Sequence, residues 1–379
     1  MHLGVLSQLT DLAKKALLFS VYVLVFDQLR FMDLSTESLW VWWFAFIAYD
    51  FCYYWAHRMS HEMNILWAAH VVHHQSEEYN LTTALRQTSG GFFVFIFYLP
   101  LAIIGIDPII ILSVGSLNLV YQFWVHTRHI DKMPNWFEAI FVTPSNHRVH
   151  HAQNPVYIDK NYGGVFILWD RLFGTYHPEL DEEPVIFGIT KPLASWNPFW
   201  ANLEVYIGLL KDAARANSWR DKIKIWFKRT GWRPADVAKT HPYPVFDPYR
   251  QVKYDVELTK LQKAYVLIQH VSTLGLSLLV LESASSLGST ELVFTLGCVA
   301  FGLFSLGYYQ QLKSLAIAAE FVKVLLWGYL VILGPIAVEN SLIFSLIWVL
   351  ASLLHLALSL RQGLASTGQT SSGHVTGEP

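Results

Sequence analysis

The chain has only two cysteines, Cys52 and Cys298, and both sit inside apolar segments. A disulfide framework and a thiolate metal site are thereby excluded. Charge is scarce too: 15% of residues are charged, the net charge is −2, and no basic tail or nucleic-acid motif occurs. A nucleic-acid partner is not expected from such a balance. No Gly-x-Gly-x-x-Gly fingerprint is present, so the chain is not expected to carry its own dinucleotide. Gly90-Gly91 and Gly163-Gly164 read as turn or helix-packing glycines, and no internal repeat is evident. The first apolar run follows Lys14-Lys15 and continues without a small-residue cleavage site, which reads as an inserted segment rather than a cleaved signal.

What the chain has in abundance is apolar and aromatic surface: 53% hydrophobic residues, with 15 Trp, 18 Tyr and 24 Phe. Long apolar stretches with interfacial aromatics predict an all-α integral membrane bundle of about seven or eight spans. A marginal first span covers Ala16–Met32, broken by Asp27 and Arg30, and a firmer one covers Leu39–Trp55. Phe92–Val125 is too long for one helix and reads as a hairpin turning at Asp107-Pro108. After a polar section from Thr127 to Lys263, four more spans are expected near Ala264–Leu281, Leu292–Gln310, Leu315–Leu333 and Ser341–Leu360. The domain reading is an N-terminal segment over 1–38, a catalytic unit over 39–260, a four-span region over 261–362 and a disordered tail over 363–379. Residues 127–263 hold 19 of the 27 Lys and Arg, and Arg58 and Arg86 flank spans on the same side. By the positive-inside rule this side is expected to be cytoplasmic. Leu209–Arg229 alternates apolar and basic residues, as does a helix lying on an anionic membrane surface or packed against the protein.

Eleven of the sixteen histidines fall between His57 and His177, and nine form a pattern. The pattern is His57-x3-His61, His70-x2-His73-His74, His126, and His147-x2-His150-His151. Spacings of three and four place side chains on one helix face, and neutral imidazole is the commonest transition-metal ligand. Nine converging imidazoles exceed the needs of one metal, so a two-metal site is expected. Nitrogen ligands alone do not choose iron over copper or zinc. His129, one turn after His126, is a possible tenth ligand or supporting group. His177 in a Tyr-His-Pro context reads as a turn, and His2, His241, His270, His355 and His374 as structural or surface residues. Metal-bound imidazoles usually donate their other N–H to an acceptor, and Glu62 and Asp159 are the carboxylates expected to serve. Glu77-Glu78 and Asp170 are also near in sequence.

The motifs resemble the fatty acid hydroxylase/sterol desaturase superfamily of integral-membrane, histidine-box di-iron oxygenases. The resemblance is carried by Tyr54-Trp-Ala-His-Arg-Met-Ser-His-Glu62, Trp67-Ala-Ala-His-Val-Val-His-His74, Tyr121-Gln-Phe-Trp-Val-His126 and Thr143-Pro-Ser-Asn-His-Arg-Val-His-His151. It is strong over about residues 40–180. The Tyr79–Gln87 and Asp159–Thr175 stretches, with the spans after Tyr265, resemble most the ether-lipid-cleaving branch. Asn146 departs from the animal pattern, in which a further histidine is expected. The resemblance implies two irons on the nine boxed histidines, and matches Glu62 to a functionally important acidic position, making it the candidate catalytic residue. It implies a monooxygenase that uses O2 to hydroxylate a lipid C–H bond, at the carbon next to the ether oxygen of alkylglycerols, releasing a fatty aldehyde. The reductant would be external: tetrahydrobiopterin in the ether-lipid branch, otherwise a redox protein. The alternatives are a hydroxylase or desaturase of fatty acyl, sterol or carotenoid lipids, and a non-enzymatic metal-handling membrane protein. For the last, Glu320 and Lys323 are the intramembrane pair to consider, and they are spaced to pair with each other.

Overall fold

The computed structural model describes residues 2–313, 315–336 and 342–362, and the expected disordered tail and His374 lie outside these. Among the described residues the protein is all helical, with two isolated β-bridges and no strand. The helices are α1 (His2–Leu29), α2 (Leu39–Glu62), α3 (Asn64–His74), α4 (Leu81–Ala84), α5 (Leu99–Ile104) and α6 (Pro108–Trp124). The polar section holds α7 (Asn135–Ile140), α8 (Pro144–His150), α9 (Leu168–Leu172), α10 (Pro198–Arg215), α11 (Trp219–Phe227) and α12 (Ala235–Thr240). A C-terminal bundle follows: α13 (Lys260–Ser283), α14 (Ser289–Gln310), α15 (Ala316–Ile332) and α16 (Leu342–Gln362).

Three of these helices are long and apolar enough to cross a membrane: Lys260–Ser283, Ser289–Gln310 and Leu342–Leu360. The expected first span begins earlier than its apolar run, because α1 starts at His2 and carries Lys14 and Lys15 within it. The second, α2, is 24 residues long, but Trp, Tyr and Asp50 lower its hydropathy. The expected hairpin turns at Asp107-Pro108, as the sequence indicates. Gly105 ends α5 at φ 111°, where a Cβ would collide with the Met32 carbonyl oxygen, and the Asp107 carboxylate then accepts from the Ile109 N–H (2.7 Å) to start α6. Its first arm is a seven-residue 3-10 segment, Phe92–Tyr98, followed by the six-residue α5. Both arms fall short of the roughly 20 residues that a straight span needs.

The N-terminal core gathers Tyr22, Val41, Ala45, Leu101, Ile106 and Ile110 from α1, α2 and the hairpin. In the C-terminal bundle Glu320 and Lys323 are fully buried and pair with each other, as their spacing suggests. Glu320 also accepts from the Tyr265 hydroxyl (2.7 Å) and the Ser305 hydroxyl (2.6 Å), so this ion pair is saturated by its own neighbours. Both cysteines are free and buried.

The basic helix expected over Leu209–Arg229 is two helices, since the chain turns out of α10 at Ala216 and restarts after Ser218. The Asn217 N–H donates to the Asp236 carboxylate (2.8 Å), which holds the break open. Leu209 and Ile225 bury against Ala68 of α3, and Asn64 Nδ2 donates to the Ile225 carbonyl (2.8 Å). Trp219, Ile223 and Phe227 stay exposed. One face of the pair thus packs on the histidine-bearing α3 while an aromatic and basic face points outward.

Candidate metal centre

The nine patterned histidines come from four elements and converge in two adjacent groups. His57, His61, His70, His74 and His150 form one; His73, His126, His147 and His151 form the other. Within each group the ring nitrogens nearest one another all lie within 4.8 Å. Neighbouring residues on a helix point about 100° apart. That divergence sends His73 and His74 to different groups, and likewise His150 and His151. His129 and His177 belong to neither group: His177 is a turn residue whose ring N–H donates to the Pro178 carbonyl (2.7 Å).

The orientation of the rings is set by backbone carbonyls. The Nδ1–H of His57 donates to the Tyr162 carbonyl (2.8 Å), that of His73 to Arg86 (3.1 Å), that of His126 to Gln122 (2.8 Å) and that of His150 to Lys160 (3.0 Å). A carbonyl only accepts, so in each neutral ring the proton is on Nδ1 and the lone pair on Nε2 faces the centre. Two of these lone pairs, on His73 and His126, lie 3.2 Å apart, where no hydrogen bond between them is possible. Other facing Nε2 atoms are 3.0 Å apart for His57 and His70, 3.2 Å for His70 and His74, 3.0 Å for His126 and His147, and 3.2 Å for His147 and His151. Nitrogens about 2.1 Å from one cation, at right angles to one another, would be about 3 Å apart. His61 Nε2 and His150 Nε2 are buried with no hydrogen-bond partner at all. Repelling lone pairs and orphaned nitrogens at this spacing are what a cation would relieve, so the residues fit a metal in each group.

Two of the sequence stretches singled out above supply those carbonyls. In Tyr79–Gln87, Arg86 is fixed by its guanidinium donating to the Val72 carbonyl (2.8 Å), and its own carbonyl then meets His73. In Asp159–Thr175, Asp159 and Asn161 adopt left-handed φ values of 60° and 57°, which aim the carbonyls of Lys160 and Tyr162 at His150 and His57. Asp and Asn tolerate this conformation better than other side chains do.

The expected carboxylate support is placed differently. Glu62 accepts from Arg58 (2.9 Å) and Asp159 from Arg229 (3.0 Å), so each is engaged with an arginine rather than an imidazole. The carboxylates that organise the site are Asp170 and Asp50. Asp170 is buried and accepts from the Tyr162 N–H, the Gly163 N–H and the Thr175 hydroxyl, each at 2.7 Å. Asp50, buried on α2, accepts from Asn118 Nδ2 (2.7 Å), the N–H groups of Val165 (2.8 Å) and Phe166 (3.0 Å), and Trp169 Nε1 (3.0 Å). Gly163 and Gly164 give them room: a Cβ on Gly164 would sit 2.8 Å from Asp50 Oδ1 and one on Gly163 3.0 Å from Asp170 Oδ2. Composition and spacing do not reveal Asp50's role, yet an acid inside an apolar span is itself the signal that could have flagged it. Asn146 turns its amide to the N-terminus of α8, where its Oδ1 accepts from the Thr143 N–H (3.2 Å) in a reciprocal cap. Arg148 of the same helix is buried; its guanidinium grips Glu179 (2.6 and 2.9 Å) and the carbonyls of Ile130 (2.6 Å) and Asp131 (2.7 Å), clamping α8 to the loop after α6.

Burial pushes the imidazoles toward the neutral form, to about 3 for His57 and His126 and about 4 for His73, against a partial pull upward from their carbonyl partners. An unfolded histidine takes its proton near 6.5, so between these values the unfolded chain binds more protons than the folded one. Stability therefore rises with pH. The contribution is complete above about pH 6.5 and is lost as pH falls toward about 3. The metal-free protein is expected to lose thermal stability steeply between these limits in detergent; a flat profile would show that the rings are not held neutral.

The two groups open onto a cavity of about 850 Å³. His57, His70, His73 and His126 line it together with Tyr53, whose hydroxyl donates to Gln122 Oε1 (2.6 Å). An apolar space of this size beside closely spaced neutral nitrogens suits oxidation of a lipid-like molecule.

A family model for fatty acid hydroxylases matches residues 42–175, the segment that carries all nine histidines. Curated relatives include alkylglycerol monooxygenases from Xenopus tropicalis (35% identical over 86% of this chain and 73% of the relative) and Danio rerio (36%, over 85% and 72%). The Homo sapiens protein of that name is 34% identical over 86% of this chain and 72% of its own length. No solved structure matches. Similarity on this scale, over a segment that brings all nine histidines into two adjacent groups, places the chain in the fatty acid hydroxylase family, alongside the alkylglycerol monooxygenases.

Proposed function

We propose that this protein is a multi-pass membrane monooxygenase that uses O2 and two irons to hydroxylate the carbon next to the ether oxygen of alkylglycerols. The observation that carries the reading is the pair of neutral imidazole groups facing one apolar cavity. Its specificity for an ether lipid is supported by the relatives' similarity along most of the chain. Iron bound in the two groups would supply activation of O2. His57, His61, His70, His74 and His150 would hold one ion and His73, His126, His147 and His151 the other; what supports this division is the spacing of their nitrogens.

The chain's own residues do the rest. The carbonyls of Tyr162, Arg86, Gln122 and Lys160 hold the Nδ1 protons, so the rings present fixed lone pairs and do not titrate during turnover. The mainly apolar cavity walls disfavour water beside the histidines and favour a lipid tail there. One oxygen atom of O2 enters the C–H bond and the other leaves as water, which needs two electrons and two protons from an external donor. The hemiacetal product then splits into a fatty aldehyde and a glycerol derivative. Tetrahydrobiopterin is the donor we favour, and the dense Lys and Arg of residues 127–263 support a cytoplasmic position for the histidine face. Glu62 sits one position after His61 and pairs with Arg58 beside the first group, which supports a role in charge balance at its rim.

The test is an aldehyde assay on membranes containing the full chain, with an alkylglycerol, O2 and reduced pterin. Aldehyde formed only when all three are present is the expected result. An iron-loaded protein that forms none, yet oxidises a fatty acyl or sterol lipid with a redox-protein donor, would move the assignment to a different branch of the family.

A further inference from the structure

The C-terminal bundle lines the cavity too. Leu274, Ser277, Leu278 and Leu281 of α13 line the same space as His57, His70, His73 and His126. Separations of three, four and seven residues put these four on one face of the helix, over about 10 Å of its length. They lie outside residues 42–175, the segment shared with fatty acid hydroxylases at large.

The N-terminal helix holds that face against the histidine half. A Cβ on Gly4 of α1 would meet the Leu85 carbonyl oxygen at 2.7 Å, so α1 seats its backbone directly on the segment that carries Arg86. On its other side Val5, Leu6 and Leu9 pack with Leu274 and Leu303. The two faces of α13 differ sharply. Leu276 and Val280 are buried in the bundle, at 4% and 0% exposure, whereas Leu278 and Leu281 are 66% and 39% exposed. Leu278 thus lines the cavity while remaining largely exposed, on a helix long and apolar enough to cross a membrane.

From this geometry we infer that the Leu274–Leu281 face of α13 is the lateral entrance and length gauge for the lipid's alkyl tail. A hydrocarbon tail crosses such a mouth without leaving apolar surroundings. The one buried polar group on that face, the Ser277 hydroxyl, already donates to the Thr273 carbonyl (2.7 Å), so a glycerol headgroup would shed its water there for little in return. The bundle, which lies outside the segment matched by the fatty acid hydroxylase model, thus selects the chain that reaches the ether carbon. The inference rests on the lipid monooxygenase function proposed above.

Two readouts on the full chain in membranes test it. In the first, kcat/KM is compared for long-chain and short-chain alkylglycerols. Leu278→Trp fills the mouth and is expected to lower the long-to-short ratio by about tenfold or more. Leu281→Trp, one turn along, is expected to do the same and serves if the first variant does not accumulate. An unchanged ratio in both variants, at wild-type iron content, overturns the inference. In the second, an alkylglycerol with a diazirine at the end of its tail is photolysed on the wild type. Label within Lys260–Ser283 is expected; label confined to residues 92–124 overturns the inference. Label on α13 without any aldehyde would keep the entrance and remove the ether-cleavage reading. Aldehyde with label elsewhere would do the reverse.

Discussion

Replacing His73 by alanine is expected to abolish turnover and to lower the iron held per chain from two to one. His73 belongs to the smaller group, where only His126, His147 and His151 remain to replace it. The nearby carboxylates cannot step in, because Glu62 and Asp159 are engaged by arginines, and Asp50 and Asp170 by buried N–H and O–H donors. Losing a group that merely supports a metal ligand costs about 10–100-fold, so loss of a ligand itself is expected to exceed about 100-fold. Iron per chain and aldehyde formation, measured on the same preparation, check this. His177→Ala is the comparison: its ring lies outside both groups, against Tyr157, and its removal is expected to leave both quantities unchanged. Retention of two irons with near-wild-type turnover in His73→Ala would refute the division of ligands.

The second large effect is expected from a residue that touches no histidine. Asp170→Ala strands two buried donors, the N–H groups of Tyr162 and Gly163, and leaves the Thr175 hydroxyl with only the Tyr54 hydroxyl as partner (2.9 Å). Each buried donor left without a partner costs about 1–3 kcal/mol, so a loss of about 2–6 kcal/mol is expected, reaching the range typical of broken buried networks. The loop that then relaxes carries the Tyr162 and Lys160 carbonyls, so His57 and His150 lose the acceptors that orient them. Both belong to the larger group. Thermal unfolding in detergent should show the destabilisation, and iron analysis should show preferential loss from one group. Asp170→Asn keeps one acceptor oxygen and is expected to fall between wild type and alanine. An alanine variant as stable as the wild type would show that the loop is held from elsewhere.

Eight of the nine histidines are legible in the sequence because their spacing is a helix repeat, and the lone His126 through the Tyr121–His126 motif that carries the resemblance. Their allocation to groups is not, since it depends on the 100° step between neighbours and on how α3 and α8 face each other. The acceptors on their Nδ1 protons are equally hidden: any residue offers a carbonyl, and only the left-handed turns at Asp159 and Asn161 aim two of them. Asp50 acts through backbone N–H groups more than a hundred residues downstream, a relation with no sequence period. The turn at Asp107-Pro108 is legible because proline and a capping aspartate are local devices. The break in the basic helix is not, because a tertiary contact from Asp236 holds Asn217 out of the helix.

The way His73 and His74, and again His150 and His151, divide between the two groups constrains how such a protein can change over generations. The distance between the groups is written into single peptide units rather than into a loop or hinge. A one-residue insertion or deletion inside either triplet would rotate the remaining imidazoles by a hundred degrees and ruin both groups in one event. No intermediate with one good group and one drifting group is reachable by changing the triplets' length. Diversification is thus confined to what surrounds the centre, such as the helices that wall the cavity and the turns that carry the orienting carbonyls.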